Sequence, residues 1–457
     1  MNENINGGRE SLGSRLGFLL ISAGCAIGIG NVWKFPYLCG QNGGGVFVLL
    51  YVFFLVILGI PVMTMEFALG RASRKSPVML YQQLEKPGSK WHLHGYVAMA
   101  GNVILMMFYT TVAGWMLSYF VKSVRGDFSS LSTASVASEF TSMLSSPSMM
   151  VAAMFVVVAV GFFICILGLE AGVERVSKVM MIALFAIMVV LAVHSVVIDG
   201  GSEGLSFYLV PDFSRVKEIG FLNVAVSAMN QAFFTLSIGS GSMAIFGSYI
   251  GKERALFGEA VHVALLDTFV AIVSGLIIFP ACFSYGVQPD SGPSLIFITL
   301  PNIFNHMPLG RVWGSLFFLF MTFAAFSTVV AVFETIIACT MDLTGWSRKK
   351  AGIVCAVLMF ALSLPCTLGF NLLSFIKPMG EGSGILDLED FIVSNLLLPC
   401  GALIFILFCT LRCGWGWDKF VQEANTGRGL KIAGWMRWYM TLVLPVIVGV
   451  IIVMGLI

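Results

Sequence analysis

Apolar residues along this chain do not alternate with polar ones but gather into long runs separated by short polar stretches. The runs lie near 15–38, 44–70, 95–123, 149–168, 175–198, 220–249, 257–286, 311–341, 349–368, 385–411 and 435–456. A helix needs about 20 residues to cross the hydrocarbon of a bilayer. The pattern therefore predicts an all-α protein of eleven membrane spans, numbered here in chain order.

Two of the runs are interrupted. Span 1 contains Gly24-Cys25-Ala26-Ile27-Gly28-Ile29-Gly30-Asn31, and span 6 contains Thr235-Leu236-Ser237-Ile238-Gly239-Ser240-Gly241-Ser242. Glycine weakens a helix by about 1 kcal/mol relative to alanine. Small residues in a span serve close helix packing, or they mark unwound backbone that lines an internal cavity. Interruptions in two runs five spans apart favour the second reading. With five spans per unit, the second unit enters the bilayer in the opposite sense, which is the pattern of inverted repeats around a midplane site. The expected organisation is an N-terminal segment 1–14, a first five-helix repeat 15–198, an outer loop 199–219, a second repeat 220–411, and a loop with helix 11 over 412–457. The long loop 287–310, with four prolines, is expected to fold inward as a lid.

Composition narrows the class. Hydrophobic residues are 58% of the 457 and charged residues 11%, with mean hydropathy +0.92. A soluble domain carries about a quarter charged residues. The net charge is only +2, but all 26 Lys and Arg except Lys34, Lys122, Arg125, Arg215, Lys217, Arg311 and Lys377 fall on one side if the N-terminus is inside. That bias predicts a cytoplasmic N-terminus and an outside C-terminus. The first run is too long and too glycine-interrupted for a cleaved signal. The ten cysteines show no metal or redox spacing, and Cys409 and Cys413 read as packing positions on one helix. No basic patch suggests nucleic acid, and no nucleophile–base pair or metal cluster suggests an enzyme.

A few polar residues inside the runs stand out. Asp267 is a carboxylate in an apolar helix, costly there and a functional position by default, the alternative being an acid at a helix end. Ala324, Ser327 and Thr328 share one helix face by their i, i+3, i+4 spacing, although such hydroxyls also bond back to their own helix.

At Gly28-Ile29-Gly30-Asn31-Val32-Trp33-Lys34-Phe35-Pro36-Tyr37, Asn42-Gly43-Gly44-Gly45, Gly59-Ile60-Pro61, Glu66, Gly70-Arg71, Gly172-Val173-Glu174-Arg175-Val176-Ser177-Lys178 and Gln231-Ala232-Phe233-Phe234-Thr235-Leu236-Ser237, the sequence resembles the neurotransmitter:sodium symporter family in its bacterial amino-acid branch. The likeness covers nearly the whole chain. It implies a LeuT-type fold of two inverted five-helix repeats, with spans 1 and 6 broken and helix 11 appended. It also implies sodium-coupled uptake of a neutral L-amino acid across the plasma membrane, with two Na+ ions expected, a monomer sufficient for transport, and the lipid bilayer and the amino acid as partners.

The resemblance places one Na+ at Ala26, Asn31, Thr235 and Asp267. It places the second at the carbonyls of Gly24, Ile27 and Ala324 and the hydroxyls of Ser327 and Thr328. Sodium is a hard cation that takes oxygen ligands, and unwound carbonyls supply them. The family's chloride pocket maps to Tyr51, Gln231, Thr235 and Ala271. Alanine at 271 removes a polar contact while Asp267 adds fixed negative charge, so no chloride requirement is expected. With its ions gone, Asp267 is expected to take up a proton and give proton counter-transport.

The substrate is expected among Cys25, Gly28, Gly30, Leu105, Tyr109, Phe234, Thr235, Ser237, Ser240 and Val332. Glycine at 28 leaves room for the substrate's own carboxylate, held by half-helix amides and Tyr109. The uncharged side-chain end suits a hydrophobic or aromatic amino acid, with Ser240 deepening the pocket. Lys34 and Asp390 map to the outer gate, and Arg9, Tyr249 and Asp342 to the inner one. Lysine replaces the usual arginine at 34 and lacks its planar fork. Leu12 replaces a usual tryptophan near the inner gate. The alternative on the same fold is a sensor that binds an amino acid without moving it.

Overall fold

The computed structural model describes residues 10–129, 131–286 and 295–455. These residues form a helical bundle; among them the β-type pairing is confined to two isolated bridges, Gly44 to Pro211 and Arg254 to Arg428. Nine single helices among the described residues are long and apolar enough to cross a membrane. They are Gly45–Ser73, Leu93–Arg125, Pro147–Ile166, Leu169–Val196, Leu256–Ser284, Gly310–Thr344, Arg348–Leu368, Ile385–Thr410 and Met436–Met454, which are spans 2 to 5 and 7 to 11. Span 1 is the pair Arg15–Ala26 and Gly30–Gln41, bent by 53° at the break. Span 6 is split into Phe221–Thr235 and Ser242–Tyr249.

The span ends differ from the sequence expectation mainly at span 5. It begins at Leu169 with a wide helical turn running to Glu174 rather than near residue 175. Glu174 reads as loop by polarity but is buried, because it accepts from the Gly13 amide (2.8 Å) and the Ser14 hydroxyl (2.9 Å) at the start of span 1. Ser14 in turn caps span 1 by accepting from Gly17 N at 3.0 Å. Cys409 lies buried near the end of span 10, but that helix stops at Thr410 and Cys413 is exposed beyond it, so the two do not share a helix.

The core is one continuous apolar cluster through the bundle. Spans 3 and 8 pack along each other, and the short half of span 6 lies against span 2. That second contact requires glycine. A Cβ at Gly70 would run into the carbonyl of Ala244, and one at Gly247 into that of Phe67. Between spans 7 and 8, residues Leu295–His306 fold as a short helical arm. Its Phe297 packs on Phe140 (ring centroids 5.1 Å apart), Tyr119 (4.9 Å), Trp115 (5.7 Å) and Trp33 (6.2 Å). The arm thus covers the side of the molecule that carries Lys34.

Candidate functional site

The break in span 1 is a rerouting of hydrogen bonds. In a continuous helix the Gly28 amide would bond Gly24 O, and the Ile29 amide would bond Cys25 O. Instead Gly28 N donates to Asn31 Oδ1 (3.1 Å) and Ile29 N to the Tyr109 hydroxyl (2.8 Å). The released carbonyls find side chains, as buried backbone must. Thr328 Oγ1 donates to Gly24 O (3.2 Å) and Ile27 O (3.1 Å), and Ser237 Oγ to Cys25 O (3.1 Å). Gln231 Nε2 donates to Gly30 O at 2.7 Å.

Span 6 breaks by backbone conformation. Ser237 (φ 51°), Gly239 (φ 88°) and Gly241 (φ 78°) are all left-handed, a region that L-residues with a Cβ rarely enter. A Cβ at Gly239 would also collide with the carbonyl of Leu398 on span 10. Two buried side chains hold the unwound stretch. Glu66 on span 2 accepts from Gly239 N at 2.6 Å. Asn102 on span 3 donates to Ser240 O (2.8 Å) and accepts from Ser242 Oγ (2.9 Å).

Between the breaks, two oxygen clusters form. In the first, Asp267 is fully buried and receives Asn31 Nδ2 (2.8 Å), Tyr51 OH (3.1 Å) and Thr235 Oγ1 (3.2 Å to each carboxylate oxygen). Asn31 Nδ2 also reaches the Asp267 carbonyl at 3.1 Å. Asp267 therefore sits among Tyr51 and Thr235, with Ala271 one turn further along span 7. The Gln231 Oε1 atom, in the same region, is buried with no protein partner among the described residues. In the second cluster, Ser327 Oγ donates to Ala324 O (2.9 Å) and Ile27 O (3.2 Å). Thr328 bridges as given above, so Gly24, Ile27, Ala324, Ser327 and Thr328 bring five oxygens together. Both carbonyls that the Thr328 hydroxyl reaches lie on span 1 rather than on its own helix.

Above these clusters lies a cavity of about 10 Å³ lined by Cys25, Ala26, Gly28, Gly30, Leu105, Tyr109, Phe234, Ser237, Thr328 and Leu398. Seven of the ten expected substrate residues line it. Thr235 points instead to Asp267, and Ser240 lines a neighbouring cavity. Val332 is buried but does not line the cavity; it lies four residues beyond Thr328, one helical turn deeper. Leu398 is an addition that the sequence did not suggest. The space above Gly28 is narrower than the sequence suggests, because a Cβ there would meet the Tyr109 and Thr328 hydroxyls.

Over Phe234, Lys34 Nζ pairs with Asp390 at 3.0 Å, donates to Ser394 Oγ at 3.2 Å, and lies 4.1 Å from the Phe234 ring centroid. Beyond this lid opens a cavity of about 430 Å³ lined by Lys34, Leu38, Asn230, Gln231 and Asp390 among others. At the opposite face, Tyr249 OH donates to Glu334 (2.7 Å), and Arg348 pairs with both Glu334 (2.6 Å) and Glu10 (2.8 Å). Asp342 accepts from Ser76 N at 2.7 Å and lies 3.9 Å from Lys75. Arg9 lies outside the described residues. Leu12 packs on the core with its amide 3.4 Å from Tyr249 O. Sequence reading missed Glu334, Arg348 and the roles of Glu66 and Asn102. An acid inside an apolar span marks Glu66 and Glu334 as much as it marks Asp267.

Comparison with known proteins agrees with this geometry. The chain is 36% identical over 440 residues to an uncharacterized sodium-dependent transporter, YhdH, of Bacillus subtilis, covering 96% of each chain. It is 31% identical over 458 residues to an uncharacterized sodium-dependent transporter of Haemophilus influenzae, covering 98% of each. Among solved structures, MhsT in complex with L-phenylalanine superposes with a TM-score of 0.89 at 34% identity, over 98% of this chain and 100% of that one. The match carries the LeuT-type architecture of inverted five-helix repeats with broken spans 1 and 6. The family model for the sodium:neurotransmitter symporters matches residues 9–132 and 134–457. This chain, a multi-spanning membrane transporter and not an enzyme, therefore belongs to the sodium:neurotransmitter symporter family.

Proposed function

We propose that this protein is a plasma-membrane symporter that couples Na+ entry to uptake of a neutral, hydrophobic or aromatic L-amino acid by alternating access, without needing chloride. The observation that carries the proposal is the pair of oxygen clusters at the broken spans, one of them containing the buried carboxylate of Asp267. Both clusters fit a hard monovalent cation, because they offer carbonyl, hydroxyl, amide and carboxylate oxygens and no soft ligand.

Ala26, Asn31, Thr235 and Asp267 hold one Na+; Gly24, Ile27, Ala324, Ser327 and Thr328 hold the other. Each ion substitutes for the hydrogen bonds that satisfy these oxygens in its absence. The substrate carboxylate lies near the first ion, against the amides around Gly28 and the Tyr109 hydroxyl, and its ammonium meets carbonyls of span 6. The side chain extends between Leu105, Phe234 and Leu398. The similar transporter MhsT holds L-phenylalanine in its complex, which supports an apolar side chain here. Asp267 supplies the negative charge that a chloride would otherwise bring, and its contacts to Tyr51 and Thr235 support that reading. On the return leg Asp267 takes up a proton. Lys34–Asp390 closes the outer side, and Arg9, Tyr249 and Asp342, joined by Glu334 and Arg348, close the inner side. The N-terminus faces the cytoplasm and the C-terminus the outside.

Two Na+ with a zwitterion carry two charges, worth about 4.6 kcal/mol at 100 mV, on the order of a thousandfold accumulation. The test is uptake of labelled L-phenylalanine into proteoliposomes. An inward Na+ gradient is expected to drive accumulation above equilibrium, with potassium or choline in its place giving none. Saturable binding with no accumulation under any gradient would identify a sensor instead.

A further inference from the structure

On the face where spans 7 and 11 begin, two chain segments are stitched together. Ala255 N donates to Arg428 O (3.0 Å) and Arg428 N to Glu253 O (2.9 Å), a parallel bridge that sets Arg254 opposite Arg428. Paired segments lie about 4.8 Å apart, so two guanidinium groups leave the bridge close together. The backbone beneath them is braced. Buried Arg71 donates to Arg254 O at 2.7 Å and pairs with Glu423 at 2.6 Å. Gly427 permits the close approach, since a Cβ there would meet the backbone of Glu253 and Arg254.

Like charges held opposite each other repel, yet among the described residues neither arginine has a carboxylate partner. Arg254 and Arg428 are exposed, as are Lys252 and Lys431 beside them. The nearby acids are engaged elsewhere. Glu423 takes Arg71 and lies 3.7 Å from Lys252, Asp418 lies 3.9 Å from Arg437, and the Glu253 carboxylate fills the space where a Cβ of residue 251 would lie. Unpaired guanidinium groups on a fixed backbone suit a phosphate group.

The cluster adjoins the lipid-facing surface. Gly258, His262, Leu265 and Phe269 share one face of span 7 at i, i+4, i+7 and i+11. The last three are exposed, so this face meets lipid tails. Leu430 is 58% exposed and rests on the same face, its Cβ 3.5 Å from where a Cβ of Gly258 would lie. Trp435 and Trp438, exposed at the start of span 11, stand where indole rings settle at the headgroup level. We infer that Arg254, Arg428 and Lys431 form a binding site for the headgroup of an anionic phospholipid, whose acyl chains run along Leu430 and the Leu265–Phe269 face of span 7. A free phosphate ion answers to the charges alone; the apolar border and the two indoles favour a lipid. With the N-terminus inside, the site faces the inner leaflet.

The test is quenching of tryptophan fluorescence in the full-length protein, reconstituted in phosphatidylcholine vesicles that carry a small fraction of brominated lipid. Brominated phosphatidylglycerol is expected to quench at a several-fold lower fraction than brominated phosphatidylcholine, and added salt to weaken the difference. Replacing Arg254→Gln and Arg428→Gln is expected to lower that preference roughly fivefold for each arginine. Lys377→Gln, between spans 9 and 10 on the opposite face, is expected to leave it unchanged. Equal quenching by the two lipids in the wild type, or a preference that survives loss of both arginines, overturns the inference. So does a preference that inorganic phosphate removes while sodium gluconate of equal ionic strength does not, because the site would then take a free ion. If the double variant does not fold, Trp435→Phe with Trp438→Phe serves instead: an undiminished preferential quench there places the lipid elsewhere and overturns the inference as well. None of these readouts depends on transport.

Discussion

Asp267 shows how much one side chain decides. It is fully buried in an apolar helix, yet three donors from spans 1, 2 and 6 converge on it. An asparagine of the same shape keeps the packing and removes the charge. In Asp267→Asn, transport in chloride-free buffer is expected to fall roughly tenfold or more, and added chloride is expected to restore part of it; a chloride series with gluconate as replacement reads this directly. Gly239 is a second residue whose identity is dictated locally, by its φ of 88° and by the Leu398 carbonyl. Gly239→Ala is expected to destabilise the protein by about 1–3 kcal/mol or more, seen as a lower thermal midpoint in detergent. Gly380→Ala, at φ 102° with open space around it, carries the backbone strain without the collision and serves as the comparison. Asp267 and Gly239 were both legible in the sequence, because a charge or a glycine inside an apolar run contradicts its surroundings. Asn102 was not: an amide on span 3 gives no sign that its partners are Ser240 and Ser242, 138 and 140 residues away.

At the scale of elements, the two broken spans are complementary. Span 1 loses its helical bonds because side chains from spans 3, 6 and 8 offer better partners, and span 6 because its residues take left-handed backbone. The sequence announced both through mid-run glycines and hydroxyls. It did not announce depth. Val332 shares a face with Thr328 but sits a turn away from the cavity, and periodicity alone does not say which turn meets the ligand. The start of span 5 was also hidden, since Glu170 and Glu174 look like loop until Gly13 and Ser14 are seen to bond Glu174. Thr328 ties span 8 to span 1 through the two carbonyls its hydroxyl reaches. Thr328→Val keeps the shape and removes the hydroxyl. It is expected to raise the Na+ concentration for half-maximal uptake by roughly tenfold, while Thr322→Val, whose hydroxyl bonds Phe318 O on the same helix, leaves it unchanged.

Across the whole molecule, polar ties close both faces of the cavity in the same structure. Lys34, Asp390, Ser394 and Phe234 close one side, and Tyr249, Glu334, Arg348 and Glu10 the other. Alternating access requires each set to open in turn, so loosening one should favour exposure on that side. Glu334→Gln, which removes the charge between Tyr249 and Arg348, is expected to increase labelling of a cysteine introduced on the inner path, and Asp390→Asn on the outer. Equal labelling in both variants would show that these ties do not govern access. Coupling requires above all that Na+ and the amino acid share the cavity between the broken spans. Equilibrium binding of labelled L-phenylalanine to the purified protein, with each salt ion exchanged in turn, tests this most directly. Saturable binding in sodium gluconate that disappears in choline chloride is the predicted result; equal binding in both would contradict it.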